Sequence, residues 1–491
     1  MSAVGQTVLR SVVFPSLYRD SVTLMMIASQ LQRIEGVERA GVVMATPANL
    51  EILATAGMLP AELAASPDDL VIVVRCDDQA AADLAIAAAS EQVAGKGQAE
   101  AGSTELVRPG TLLEGVHALA GANLLSVSTP GAYAPLLIKQ GLQAGLHVFC
   151  FSDNIDIADE VPLKELAVSK GLLLMGPDCG TALIDGVPLG FVNAVSPGPV
   201  GIVSASGTGA QEVMCQLDAQ GVGVSQVIGV GGRDLSAEVG ASMTGLALDL
   251  LMADEQTTCI ILIGKPPAPE VATSLLARLA QSSKPVVVCL IGNSVVGTNG
   301  PVTTAATLAG AATAAATIVG APALDDAPLA VLPQSGVHGG GVLGLYTGGT
   351  LASEAKYLLR ENGIAAEILD LGDDEYTVGR PHPMIDPSLR ASRVEAAGAD
   401  PAIGILLVDL VLGFGSAMDP ATPLAQAAIA ARAAAESDGR TIHIVASICG
   451  TSRDPQSITA QRALLEDAGI IVAESNAAAV RTAVALRIVG A

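Results

Sequence analysis

Two glycine-rich turns mark where this chain can do chemistry. In the first, the β-branched run Gly201-Ile202-Val203 leads through Ser204-Ala205-Ser206-Gly207-Thr208-Gly209 into a helix-forming stretch. Where a strand feeds a helix, the first N–H groups of the helix lack intrahelical partners and the aligned peptide dipoles add partial positive charge. Such a turn suits a phosphate or a carboxylate, and the hydroxyls of Ser206 and Thr208 add donors. The competing reading is an ordinary N-cap on a buried helix. The same device recurs as Gly344-Leu345-Tyr346-Thr347-Gly348-Gly349-Thr350. If the two units pack pseudo-symmetrically, their helix N-termini face each other and hold one anion from both sides. Ser206, Gly207, Thr208, Gly348, Gly349 and Thr350 are then the candidate phosphate ligands. His338, in Ser335-Gly336-Val337-His338-Gly339-Gly340-Gly341, lies on the approach to the second turn and reads equally as a surface-loop histidine.

Other reactive side chains are sparse. The run Asp373-Asp374-Glu375 offers hard oxygen ligands for Mg²⁺, or else is a solvated loop. Arg380-Pro381-His382-Pro383 is stiffened by two prolines, which hold its side chains in fixed directions or simply build a turn at a subunit contact. Tyr18-Arg19-Asp20-Ser21 reads as the cap of the first helix, with Asp20 or Ser21 as N-cap. The seven cysteines show no CxxC and no Cys/His pairing at zinc-ligand spacing, so they read as reduced, buried hydrophobes. Five histidines, no tryptophan and 2% aromatic residues exclude the stacking platforms of single-strand nucleic-acid binders. Chemistry is left to the backbone, the hydroxyls and a few charges.

The elements that must position these groups alternate short β-branched runs with Ala- and Leu-rich helical stretches, a pattern of crossover units and parallel sheets. Strands are expected at Thr7 to Phe14, Ala40 to Ala45 and Leu70 to Arg75, with helices at Ser21 to Ile34 and Ala80 to Val93. Ala94 to Pro109 has linker composition. The alternation resumes with strands at Asn123 to Ser128, His147 to Phe151 and Leu172 to Met175, and Pro197-Gly198-Pro199 then punctuates the chain. One unit opens with the strand Val200 to Ser204 and fades near Asp325; the next follows Ser335 to Gly344. Each opens strand, Gly-rich turn, helix, which suggests a duplicated flavodoxin-like module. At about 150 residues per domain the length predicts roughly three domains.

A formal charge of −24 on a chain with only 15% charged residues disfavours nucleic acid and anionic membranes as partners. The stretch from Pro285 to Leu324 has no charged residue, but its threonines and glycines bury too little area to insert in a bilayer. Met1 to Arg10 carries neither a basic region nor an apolar core, which predicts a cytoplasmic protein.

The local sequence resembles the succinyl-CoA synthetase superfamily, in which two power helices point at a phosphohistidine loop. Met175-Gly176-Pro177-Asp178-Cys179-Gly180 looks like its Gly-Pro-Asn-Cys turn, Gly201 to Thr208 like its power-helix motif, and Ile228 to Asp234 like the Gly-Gly-Asp stretch that follows. Gly348-Gly349-Thr350 is similar to the second power helix. After Lys284-Pro285-Val286, where the ligases carry a histidine loop, this chain reads Thr303-Thr304-Ala305-Ala306-Thr307. Lys265 stands where the ligases place a glutamate, and a cation there favours direct anion binding. Pro15 to Ser21 lacks the Gly-rich turn expected for CoA, so CoA is not expected as a cofactor. The resemblance implies an α/β fold: a CoA-binding-like Rossmann region over 106–196, after an N-terminal α/β subdomain at 1–105, then two flavodoxin-like domains with parallel sheets at 197–328 and 340–491.

A closer resemblance covers nearly the whole chain: the FdrA family. Tyr18-Arg19-Asp20-Ser21, Leu345 to Thr350, the signature Gly372 to Pro387, and Gly450-Thr451-Ser452-Arg453-Asp454-Pro455-Gln456 carry it. It implies oxamate carbamoyltransferase of purine (allantoin) catabolism, which exchanges oxalurate plus phosphate for oxamate plus carbamoyl phosphate and works with two further subunits. The power-helix turns would hold the phosphate. Lys265, Arg380 or His382 would polarise the carbamoyl carbonyl, and Arg19, Arg233 or Arg453 would pair with the substrate carboxylate. Mg²⁺ is the one metal left open. The alternatives are an acyl-CoA synthetase and a non-catalytic scaffold subunit.

Overall fold

The computed structural model describes residues 7–19, 21–60, 62–98, 109–293, 295–322, 340–377 and 381–489. Asp20, His338 and Arg380 lie outside the described residues. The chain divides into a smaller unit, residues 1–108 with 377–381, and a larger unit made of the rest.

The smaller unit runs β1 (Val8–Phe14), α1 (Ser21–Gln32), β2 (Val37–Met44), α2 (Pro47–Thr55), β3 (Leu70–Cys76) and α3 (Gln79–Gln98). Its sheet has the order β1-β3-β2, and β3 is antiparallel to both neighbours, with Phe14 and Met44 each opposite Leu70. The alternation of strands and helices predicts parallel pairing here, and the structure departs from it. The crossover through α1 leaves one strand's width between β1 and β2, and β3 fills that gap in the opposite direction. Leu70-Val71-Ile72-Val73-Val74 is wholly buried because both faces are covered. Leu24, Leu31, Ala82 and Ala85 from α1 and α3 pack on Ile72 and Val74, while Leu53 and Met58 pack on Val71 and Val73.

The larger unit begins with α4 (Leu112–Ala118), β4 (Leu124–Val127), α5 (Ala134–Gln143), β5 (His147–Cys150), α6 (Ile157–Ser169) and β6 (Leu174–Met175). These strands form a parallel sheet in the order β4-β5-β6. The following hairpin, β7 (Thr181–Ile184) and β8 (Val187–Gly190), joins the next sheet instead, through β7 antiparallel to β10.

That second sheet is built from β9 (Pro197–Ser204), α7 (Gly207–Ala219), β10 (Val224–Gly229), α8 (Ser242–Ala253), β11 (Cys259–Gly264), α9 (Pro269–Leu279), β12 (Val286–Leu290), the hairpin β13 (Gly297–Asn299) and β14 (Val302–Thr304), and α10 (Leu308–Ile318). The third is built from β15 (Gly341–Tyr346), α11 (Gly349–Glu361), β16 (Ala366–Asp370), the short α12 (Asp374–Thr377), α13 (Ser388–Gly398), β17 (Ile403–Val411), α14 (Ala421–Ser437), β18 (His443–Cys449), α15 (Ile458–Asp467), β19 (Ile471–Ala473) and α16 (Asn476–Val489). The orders are β13-β14-β12-β11-β9-β10-β7-β8 and β16-β15-β17-β18-β19. Setting aside β13 and the β7–β8 hairpin, both halves have the flavodoxin-like strand order 2-1-3-4-5, with β14 as the fifth strand of the first half; in this order ligands bind at the carboxyl ends of strands 1 and 3. Those ends are where α7 and α11 begin.

The two halves share one hydrophobic core. Ala210, Val213 and Leu217 of α7 lie in it with Leu351, Ala355 and Leu358 of α11. The charge-free stretch at Pro285 to Leu324 includes α10, whose Ala311, Ala312, Ala315 and Ala316 are buried there. Among the described residues no helix is long and apolar enough to cross a membrane. Two buried glutamates tie the halves reciprocally. Glu354 of α11 accepts from Leu308 N–H at the start of α10 (2.7 Å), and Glu212 of α7 accepts from Asn476 N–H at the start of α16 (3.2 Å). Asn476 Nδ2 also donates to Glu354 at 2.8 Å, so one asparagine bridges both helices.

Candidate functional site: paired helix turns

The first residues of α7 and α11 meet. Ser206 Oγ and Thr350 Oγ1 are 2.5 Å apart, and a Cβ placed on Gly348 would come within 3.0 Å of Thr208 Cβ. A side chain at position 348 would press on Thr208, so the glycine lets the turns approach this closely without displacement. Ser206 is the N-cap of α7, its Oγ accepting from Gly209 N–H at 2.9 Å, so the hydroxyl hydrogen is free to point at Thr350. Capping and meeting are thus compatible roles of one side chain. The preceding N–H groups, those of Gly207 and Thr208, and the corresponding Gly349 and Thr350 N–H groups, fall before the first intrahelical bonds.

The loop into α11 is braced from below. Asp409, fully buried on β17, accepts from Thr347 N–H (2.8 Å), Thr347 Oγ1 (3.0 Å) and Gly348 N–H (2.8 Å), and pairs with the buried Arg390 at 3.1 Å. On the other side of the turn stands Asp370 at the end of β16. Its Oδ1 accepts from Gly372 N–H at 3.0 Å, and its Oδ2 lies 2.3 Å from where a Gly349 Cβ would be. Burial and the neighbouring Asp409 and Asp373 push the Asp370 carboxyl up to about 6, against the opposing pull of the Gly372 N–H and of Lys265.

Lys265 follows β11 and is exposed, and its charge acts on both Asp370 and Asp178. Asp178, in the turn after β6, keeps an exposed face, yet crowding by protein and by Asp153 and Asp374 pushes it up to about 6 as well. His382 Nδ1 accepts from Met384 N–H at 3.2 Å, which leaves the ring proton on Nε2. Burial pushes this histidine down to about 4, so it is neutral at pH 7 and acts as a donor, not as a cation. Its Nε2 and Asp370 Oδ1 both crowd the same side of Gly372.

The structure brings Lys265, His382, Ser206, Gly207, Thr208, Gly348, Gly349 and Thr350 to one region. It does not bring the three arginines there alike. Arg233 acts on Asp178 electrostatically, but its guanidinium is held by Glu160 (2.7 Å) and by the Ile155 carbonyl (2.6 Å). Arg19 belongs to the smaller unit and donates to the Val93 carbonyl at 3.1 Å, near the end of α3. Arg453 is exposed, and its motif has a structural task. Asp454 accepts from Ala194 N–H (2.7 Å), Asn193 Nδ2 (2.8 Å) and Thr451 N–H (2.8 Å). Asp370 carries no sequence signal beyond its place at the end of β16, whereas Asp178 stands in the Gly176-Pro177-Asp178-Cys179 turn that the sequence resemblance singles out, though not as an acid of the site. Among the described residues no group of three His, Cys, Asp or Glu side chains is placed to hold a metal ion.

The raised Asp370 makes a prediction. Its folded pKa lies above the unfolded value, so the folded state binds more protons between about pH 4 and about pH 6, and stability falls as pH rises through that window. Asp370→Asn is expected to reduce this fall by the Asp370 share, leaving the part that Asp178 contributes over the same window, checked by denaturant midpoints at acidic and neutral pH. An unchanged pH profile would place the titration elsewhere.

Residues 345–486 match the CoA-ligase family, 197–322 the succinyl-CoA ligase-like flavodoxin domain, and 7–109 the domain described as AllF, heavy metal-associated. Together with the doubled flavodoxin order, they define a succinyl-CoA-synthetase-like α/β protein. The chain belongs to one family with the uncharacterized protein YahF of Escherichia coli (strain K12), 38% identical over 95% of this chain and 96% of that one. It is also similar to the succinate–CoA ligase subunit alpha 2 of Archaeoglobus fulgidus, 31% identical over 34% of this chain and 58% of that one. Of solved structures it is similar to the dinucleotide-forming acetyl-coenzyme A synthetase 1 of Ca. Korarchaeum cryptofilum, at 16% identity and TM-score 0.32 over 75% of this chain and 83% of that one.

The name of the 7–109 domain raises the question of a heavy metal. Soft metals are held by thiolate pairs or imidazoles. This segment contains a single cysteine, Cys76, and no histidine, and Cys76 is buried in β3 with its thiol pushed up by burial. The residues present do not fit such a site.

Proposed function

We propose that this chain is a subunit of a carbamoyltransferase of the oxamate carbamoyltransferase type, interconverting oxalurate plus phosphate and oxamate plus carbamoyl phosphate. The observation that supports it most is the meeting of two helix N-termini at Ser206 and Thr350, which converges unpaired N–H groups and two helix dipoles on one point. Phosphate, or the phosphoryl group of carbamoyl phosphate, sits against these N–H groups with Thr208 adding a hydroxyl and Lys265 a charge. His382 offers a neutral Nε2–H to the carbamoyl oxygen, and Arg233, whose charge acts on Asp178, supplies a guanidinium charge for a substrate carboxylate. Catalysis is positioning plus charge stabilisation. The AllF name of the 7–109 match supports a link to allantoin degradation. A second reading, an acyl-CoA synthetase of the succinyl-CoA ligase type, is favoured by the CoA-ligase match over 345–486.

A thermal-shift panel with phosphate, carbamoyl phosphate, oxamate, CoA and ATP with Mg²⁺ separates them, because a ligand of the native state raises the melting temperature. Stabilisation by phosphate and carbamoyl phosphate is expected, reduced in a Ser206→Ala, Thr350→Val double variant. Stabilisation by CoA alone would support the ligase. Silence from every ligand would leave a scaffold subunit.

A further inference from the structure

Resting on the carbamoyl-transfer reading, we propose that Asp370 is the proton carrier of the paired-turn site: its free oxygen takes up a proton when an anion binds and passes it to the nitrogen that leaves the carbamoyl carbon. The geometry is specific. Oδ1 is fixed by Gly372 N–H, while Oδ2 stands against Gly349, the first residue of α11, in a space that any side chain at position 349 would fill. An ionised carboxylate there competes with an incoming anion for the helix N-terminus; a protonated one becomes a donor to it. The groups that face Asp370 come from four places. Asp409 of β17 is committed to Arg390 and the Thr347–Gly348 backbone, and Asp373 lies three residues on in the same loop. Among the described residues Lys265, from the end of β11, is the cation that acts on it, and His382 presents a neutral ring beside it. The resulting balance, with the carboxyl near 6, lets binding tip the proton on and chemistry take it off.

In the phosphorolytic direction a phosphate oxygen bonds to the carbamoyl carbon and the C–N bond to oxamate breaks. The electron pair of that bond goes to nitrogen, which takes the Asp370 proton, and the proton released by phosphate restores the carboxyl. Nothing is oxidised or reduced, and no further reactant is needed.

Sulfate does not titrate near neutrality, so the proton taken up as it binds belongs to the protein. Calorimetric titration of sulfate into the full chain, in buffers of different ionisation heat near neutral pH, is expected to show uptake of a fraction of one proton. Affinity is expected to tighten as pH falls, by up to about tenfold per unit. In Asp370→Asn the uptake disappears while sulfate still binds. Sulfate binding to the wild type without proton uptake, or uptake that persists in the variant, overturns the proposal and leaves the anion site standing. If the variant does not fold, a pH-independent sulfate affinity of the wild type overturns it equally. Absence of binding by both sulfate and phosphate overturns the anion site, and the carbamoyl-transfer reading with it.

Discussion

Replacing Lys164 by methionine is expected to lower the stability of the larger unit by about 3–5 kcal/mol, the cost of leaving buried charge without its partner. Lys164 on α6 is 1% exposed, and its Nζ lies 2.9 Å from Glu160, 2.8 Å from Asp234 and 2.9 Å from the Val230 carbonyl. Both carboxylates are as deeply buried as the lysine. Glu160 keeps Arg233 as a second partner and Asp234 keeps the N–H of Thr244 and its hydroxyl, so the damage is severe but bounded. Urea unfolding of Lys164→Met measures it. Adding Glu160→Gln and Asp234→Asn should recover much of the loss, because the triple variant buries no unpaired charge. A loss below about 1 kcal/mol would mean that water reaches the cluster. The consequence extends to the site, since the same cluster holds Arg233 and the Gly231 to Asp234 loop beside Asp178.

The doubled turn is legible in the sequence because both copies keep the order strand, glycine, threonine, helix, and the fold follows from it: two flavodoxin-like halves with α7 and α11 at equivalent places. Three other features are not legible, each for a physical reason. The run Leu70 to Val74 is apolar on both faces, and a strand covered on both sides reads the same whether its neighbours are parallel or antiparallel. Asp370 ends a strand and reads as a solvent-facing terminus, while the groups that bury it, Gly349 and His382, are remote in sequence or in another segment. Arg453 sits in a distinctive motif, but that motif is spent on Asp454, which staples the 193–194 segment to the third sheet's loops. Conversely, Asp409 is a lone acid inside the apolar run Ile405 to Val411, a signal that does mark a buried, fully partnered charge.

Glu354→Ala is the second substitution expected to have a large effect, about 2–6 kcal/mol, at one to three for each buried donor left without its acceptor. Leu308 N–H loses its cap at the start of α10, and Asn476 Nδ2 loses its partner while keeping the Leu351 carbonyl at 3.0 Å. Glu354→Gln, which retains one acceptor oxygen, should fall between the wild type and alanine. Because Glu354 lies in α11 and caps a helix of the other half, its removal should also loosen the union of the halves, seen as a broadened unfolding transition. The alternative, a sharp transition with a loss under about 1 kcal/mol, would mean that the shared apolar core alone sets the register. If the glutamates do set it, the anion response should weaken in Glu354→Ala well below the melting temperature, since the contact between Ser206 and Thr350 depends on how α7 and α11 are held about one turn further along, at Glu212 and Glu354.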